Sequence, residues 1–346
     1  MAGVVIFFNR TMKFYKIFIR IYSMRCIIST WSFVTLVLLF LSNITLAQTA
    51  YKNKYTIAQD GSGDFKTIQE AIDVCKPFPD ERIVIHIKPG VYKEKVEAFS
   101  WTTNISLIGE DPMSTIITFD DYSGKGDINT FTSWTFKVMG NDFQAENITF
   151  QNSAGPVGQA VALHVEADRS VFRNCRFIGN QDTIYTGGEN SRQYFVNCYI
   201  EGTTDFIFGS ATVVFENCHI HSKKNSYVTA ASTTENQTYG YVFFDCKLTA
   251  EPQFKKIYLG RPWRNFAKTV FIRCELGDHI LPEGWHNWSK PEAEKTTLYA
   301  EYKSYGPGAK TTGRVPWSKQ LTDDEAKLYS VKAILKGDDN WNPNSN

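Results

Sequence analysis

The sequence predicts an all-β chain wound as a right-handed, single-stranded parallel β-helix, with a short N-terminal capping helix and long C-terminal loops. A short motif returns along the middle of the chain: Phe172-Arg173-Asn174-Cys175, Phe195-Val196-Asn197-Cys198, Phe215-Glu216-Asn217-Cys218, Phe243-Phe244-Asp245-Cys246 and Phe271-Ile272-Arg273-Cys274, with cysteines 23, 20, 28 and 28 residues apart. A weaker copy, Glu146-Asn147-Ile148-Thr149-Phe150, precedes them. The second observation is that the runs between are short, rich in Phe, Val and Ile, and bounded by Gly, Asn, Asp and Ser. Units of that length cannot bury an apolar face alone and must stack. The third is the lack of any sustained 3.6-residue periodicity, which removes helical repeats as an alternative.

In chain order, 55–60 reads as the opening strand and 64–72 as a short amphipathic helix that caps the solenoid end, where an open coil edge would invite pairing with other chains. Residues 82–87 form a strand, 89–94 a turn into the next, and 104–108 and 114–119 the early coils. A polar, Gly-containing loop spans 120–129. The motif-bearing coils follow. From 281 to 317 the density of Trp, Tyr, Pro and Gly points to long loops over one face, and 323–336 reads as a terminal helix with Thr322 as its N-cap.

The 346 residues, 42% of them hydrophobic, suit one catalytic-size domain, 48–346, behind a leader at 1–47. Arg10, Lys13, Lys16, Arg20 and Arg25 precede an apolar run at 31–41, and Thr45-Leu46-Ala47 supplies small residues before a cleavage point, the pattern of a secretory signal. An uncleaved anchor is disfavoured, because a bilayer needs about 20 apolar residues. Without the five leader cations, 32 basic residues face 36 acidic ones, and the formal charge moves from +1 to −4. The polybasic footprint of a nucleic-acid binder is therefore lacking. No Cys-x-x-Cys pair or His cluster has metal-ligand spacing, so no zinc site and no cofactor is expected. Secretion permits disulfides; Cys198 and Cys218 fall on successive coils at a bridgeable separation, and the remaining cysteines fit a thiol ladder in the core equally well. Sequons stand at Asn104, Asn147, Asn236 and Asn287, with Asn147 the poorest because it falls inside a predicted strand.

Asp182 and Asp205 carry the chemistry. Each follows its motif cysteine by seven residues, so the two are 23 apart, as Cys175 and Cys198 are. Equivalent positions on neighbouring coils lie about 4.8 Å apart. A lone Asp in such a place is most often a turn residue that bonds its own backbone. The shared offset, the adjoining Gln181 and the aromatic flanks of Asp205 set this pair apart. Two carboxyl groups that close cannot both ionise freely; one becomes an acid and the other a base or nucleophile. Gln159 precedes an apolar strand as an uncharged donor. Arg261, between Gly260 and Pro262, is a natural two-pronged partner for an ionised Asp, and Trp263 offers a flat face to a sugar ring.

Gly90-Val91-Tyr92-Lys93-Glu94, Gln159-Ala160-Val161-Ala162-Leu163, Gln181-Asp182-Thr183-Ile184-Tyr185, Asp205-Phe206-Ile207-Phe208-Gly209 and Leu259-Gly260-Arg261-Pro262-Trp263 together resemble, in order, the signature segments of the pectin methylesterases, over roughly 55–343. The chain is most similar to plant members without the inhibitor-like pro-region; Ile184 stands where those have Leu. The resemblance implies hydrolysis of galacturonate C6 methyl esters in pectin, outside the cell in the wall, with no cofactor. It implies Asp205 as nucleophile and Asp182 as general acid and then base. Gln159 and Gln181 would be oxyanion donors, Arg261 the residue orienting Asp205, Trp263 a sugar contact, and Thr130 a substrate contact. It further implies a Cys198–Cys218 disulfide, a proteinaceous inhibitor as possible partner, and a monomer.

Other readings are a retaining polysaccharide hydrolase, which also needs two carboxyl groups about 5 Å apart, and a catalytically dead wall-binding β-helix. A calcium-dependent lyase is disfavoured because no group of acidic ligands is seen.

Overall fold

The computed structural model describes residues 51–344. The leader expected at 1–47 lies outside the described residues. Parallel strands form three sheets of eleven, eight and seven members, and each turn of the chain from 83 to 260 visits all three. One such turn runs through Ser170–Arg173, Arg176–Ile178 and Ile184–Thr186 before returning to the first sheet at Arg192–Val196.

The repeated motif explains the winding. Phe172, Phe195, Phe215, Phe243 and Phe271 occupy one register position. Their fully buried rings stack at 4.6, 5.0, 4.5 and 4.4 Å between centroids, interplanar angles 8–24°. The next position of consequence, Asn174, Asn197, Asn217, Asp245 and Arg273, is left-handed in each of these coils, with φ between 47° and 55°. That conformation swings the chain from the first sheet to the second, and Asn and Asp adopt it most readily among residues with a side chain. The cysteine that follows then points into the core.

Both ends are closed. At the N-terminal end a helix at Ile68–Asp73, shorter than the 64–72 expected, begins at Thr67 because Thr67 and Glu70 form a reciprocal capping box; Ile68, Ala71 and Ile72 are buried. Phe65 instead bridges Ile57. The single terminal helix expected at 323–336 is two helices, Asp323–Ala326 and Val331–Leu335. Thr322 caps the first as anticipated, but Ser330 supplies a second N-cap that restarts the chain. Ile334 and Leu335 seal the outer face of the eleven-stranded sheet against Val214, Val242, Val270 and Ile272. The stretch 281–317 is not loop throughout, since Leu298–Tyr302 adds a strand to that sheet. Glu301 on this strand and Arg314 form a buried pair at 2.6 and 3.0 Å, and Arg314 also donates to the carbonyls of Gly308, Leu281 and Pro282.

Two further expectations are corrected. Asn147 lies between the strands Gln144–Glu146 and Thr149–Asn152, not within one; its φ of 57° makes it the turn residue of its coil, and its side chain accepts from Asn174 Nδ2 at 2.6 Å. Cys198 and Cys218 are free thiols, not a disulfide. Each Sγ contacts the carbonyl two residues earlier, Val196 and Glu216, at 3.4 Å, the arrangement that Cys175, Cys246 and Cys274 repeat. All five point the same way down the core, so the ladder left open for the others extends to these two.

Candidate active site

The seven-stranded sheet carries the site. Ile184 pairs with Ile207, so Asp182 and Asp205, each two residues earlier, occupy one rung of adjacent coils. The backbone holds them there: Asp182 N–H donates to Thr204 at 3.0 Å and Asp205 N–H to Tyr227 at 2.9 Å. Both residues are left-handed, φ 64° and 49°. The turn thus delivers both carboxyl groups to one side of the sheet, in a conformation that costs about 1 kcal/mol or more each and persists only where the surroundings demand it. Gly209, φ 131°, is needed two residues beyond Ile207 because a Cβ there would lie 2.1 Å from the Thr186 carbonyl oxygen.

Arg261 meets Asp205 with both prongs, Nε to Oδ1 at 3.0 Å and Nη2 to Oδ2 at 2.6 Å. Its approach is fixed by Gly260, where a Cβ would meet Thr229 Oγ1 at 2.1 Å, and by its own N–H donating to Thr229 at 2.9 Å. Asp182 is 7% exposed and Asp205 5%, and among the described residues the Asp182 carboxyl has no hydrogen-bond partner. Burial, and then the neighbouring Asp205 charge, push the Asp182 carboxyl up to about 8, with Arg261 pulling weakly the other way. Burial also raises Asp205, and the two hydrogen bonds and the charge of Arg261 restrain the rise. A proton shared between the two therefore resides on Asp182.

Gln159 and Gln181 form a parallel bridge on adjacent coils, and Ala160 N–H donates to the Gln181 carbonyl at 3.1 Å. Gln181 directly precedes Asp182. Both Gln side chains are half-buried, and among the described residues neither amide is engaged, which leaves four N–H donors for an incoming oxygen. Trp263 joins a wall of rings with Phe208 at 5.9 Å and Phe131 at 6.4 Å, while Tyr185 packs on Phe208 at 5.1 Å and on Phe131 at 5.2 Å. Thr130 opens the 3-10 turn Thr130–Thr132, and its neighbour Phe131, 44% exposed, is the residue that reaches the wall. Phe131, Tyr185, Phe208, Tyr227 and Trp288 were not anticipated. Tyr185 and Phe208 had a signal, since each directly follows a core-facing residue, Ile184 or Ile207, and so points outward.

A parallel β-helix that carries two buried carboxyl groups of unlike protonation on its outer face has the form of a polysaccharide-processing hydrolase. A family model described as Pectinesterase matches residues 54–338. Pectinesterase 31 of Arabidopsis thaliana is 42% identical over 281 residues, 78% of this chain and 88% of that protein. Probable pectinesterase/pectinesterase inhibitor 13 of the same plant is 39% identical over 305 residues, and the chain spans only 49% of its length. Among solved structures, pectin methylesterase from carrot superposes with a TM-score of 0.79 at 39% identity, covering 82% of this chain and 93% of that one. A pectin methylesterase in complex with a hexasaccharide gives 0.71 at 29% identity, covering 84% and 98%. The chain belongs to the pectinesterase family, and it is a carboxylic ester hydrolase with the right-handed parallel β-helix of those structures.

Proposed function

We propose that this enzyme removes methyl groups from the C6 esters of galacturonate in cell-wall pectin, with Asp205 as nucleophile and Asp182 as general acid and base. The observation that carries the reading is the asymmetry of the pair: Asp205 is gripped by Arg261 at 2.6 and 3.0 Å while Asp182, without a partner, is pushed up to about 8. The hexasaccharide bound by a solved relative supports an oligosaccharide ligand.

The Asp205 carboxylate attacks the ester carbon, and the carbonyl oxygen becomes an oxyanion received by the amides of Gln159 and Gln181. Such donors are worth about 10²–10³ in rate each. As the tetrahedral intermediate collapses, the C–O bond to the methoxy group breaks and methoxide takes the Asp182 proton, leaving as methanol. An anhydride between Asp205 and the sugar remains. Asp182, now a carboxylate, takes a proton from water, whose oxygen adds to the sugar acyl carbon. Asp205 departs as carboxylate, and both groups return to their starting protonation.

Extracellular action in the wall, a monomeric state and binding of a proteinaceous inhibitor belong to the same proposal. The last is supported by the two-part names of several relatives.

Highly methylated pectin is the test. Methanol release without new reducing ends is expected from the wild type, and Asp205→Asn should lower it by about 10³-fold or more. New reducing ends without methanol would make the enzyme a glycosidase, and an Asp205→Asn variant as fast as wild type would remove the nucleophile.

A further inference from the structure

We infer that Tyr227 and Trp288 are positioning residues that sandwich the Arg261 guanidinium, so that it stays on Asp205 and does not follow the new carboxylate formed on the sugar at every turnover. This rests on the reading of Asp205 as nucleophile. The central carbon of the guanidinium lies 3.9 Å from the Tyr227 ring centroid and 3.6 Å from that of Trp288, within van der Waals contact of both. Arginine stacks on aromatic faces in this way while its edge remains free for paired hydrogen bonds, and here the edge carries the two bonds to Asp205.

Each clamp residue is itself tied to the pair it serves. The Tyr227 carbonyl accepts the Asp205 N–H at 2.9 Å, so the ring on one side of Arg261 belongs to the residue that anchors the Asp205 backbone. Tyr258 backs Tyr227 in a stack at 5.3 Å and 15°. Trp288 comes from a loop bent for the purpose: Trp288 and Ser289 are consecutively left-handed, φ 55° and 54°. A bulky residue in that region persists only where its surroundings insist on it, and such sites concentrate where geometry matters to function. Trp288 N–H donates to His286 Nδ1 at 2.9 Å. Lys290 Nζ sits 4.9 Å from the Trp288 ring and donates to the carbonyls of Pro262 and Trp263 at 3.3 and 3.0 Å, binding the loop to the turn that bears Arg261.

The chemistry gives the clamp its purpose. Hydrolysis of an uncharged ester makes an anion beside a guanidinium, and a freely rotating Arg would exchange Asp205 for the product, slowing release and leaving the nucleophile unpaired. Two rings remove that rotational freedom without offering a competing acceptor.

The test compares Trp288→Leu, Tyr227→Leu and the ring-preserving Trp288→Phe, each checked by circular dichroism and thermal melting. Each Leu variant is expected to lose about ten- to thirty-fold in kcat on methylated pectin with KM little changed. The acid limb of its kcat profile should move to higher pH, because Asp205 ionises less readily without a fixed guanidinium. The other charged or titratable groups around the pair are Asp182, Tyr299 from the core side, His286 and Lys290, and none of them is altered. Trp288→Phe should recover most of the loss. If Trp288→Leu does not fold, Tyr227→Leu and Trp288→Phe carry the same readout. A rise in KM with kcat and the acid limb unmoved would make the rings sugar platforms and overturn the clamp, as would wild-type behaviour of both Leu variants. An active Asp205→Asn variant would instead strike the nucleophile assignment, whatever the clamp variants do.

Discussion

Asp182 and Asp205 have the same residue type, the same left-handed backbone and nearly the same burial, yet they differ in what touches their oxygens. That difference sets the pH dependence. In the proposed mechanism, activity requires Asp182 protonated and Asp205 ionised. Asp182 is pushed up to about 8, so kcat should fall as pH rises through that value. Asp205 is also raised by burial, so the acid limb should lie higher than that of a free Asp. A bell-shaped kcat profile on a methylated substrate is the expected measurement, and a flat alkaline side would show that no proton on Asp182 is used. Stability follows the same group with a worked sign. An acid whose folded pKa is raised contributes fully below its unfolded value, near 3.8, and that contribution is lost as pH climbs through about 8. Asp182→Asn should therefore melt higher than wild type at pH 7 and lose less stability between pH 4 and 8, while releasing methanol at least 10²-fold more slowly.

At the scale of the element, the coil is an aromatic in the lumen, a left-handed turn residue, and a small thiol. Phe215 stacks between Phe195 at 5.0 Å and Phe243 at 4.5 Å and is fully buried. Phe215→Ala should cost about 3–5 kcal/mol, read as a drop in the denaturation midpoint with an unchanged slope. The recurrence of this unit is why the solenoid was legible in the sequence: a motif read every 20 to 28 residues fixes both register and handedness of side chains. The Asp pair was legible for the same reason, since it kept the motif's spacing. The aromatic clamp was not: Tyr227 opens the strand Tyr227–Ala231 on the same rung as Asp205, but Arg261 and Trp288 reach it from a turn and a loop whose course no periodicity encodes. Helix limits were missed where a cap residue, Thr67 or Ser330, chose the start over the apolar pattern. The expected Cys198–Cys218 bond rested on resemblance and on the placement of the two cysteines on successive coils, and the stack places these sulfurs in a series of like contacts with no pair singled out.

For the molecule as a whole, a solenoid is only as stable as its ends, because each coil leans on its neighbours alone. The C-terminal closure hangs on Glu301 and Arg314, whose side chains are 2% and 4% exposed. Glu301→Gln or Arg314→Met strands a charge in the interior and should cost about 3–5 kcal/mol. Fluorescence of Trp285 and Trp317 near this end should report the loss together with global melting if the fold is one cooperative unit, and ahead of it if the end frays first. The column of sulfurs inside the coils gives the same molecule a built-in clock. Cys175, Cys198, Cys218, Cys246 and Cys274 are shielded from bulk solvent, so an alkylating reagent should reach them only when the coils part. Mass spectrometry after brief exposure would then count openings coil by coil, and full labelling after denaturation without reductant should find all five.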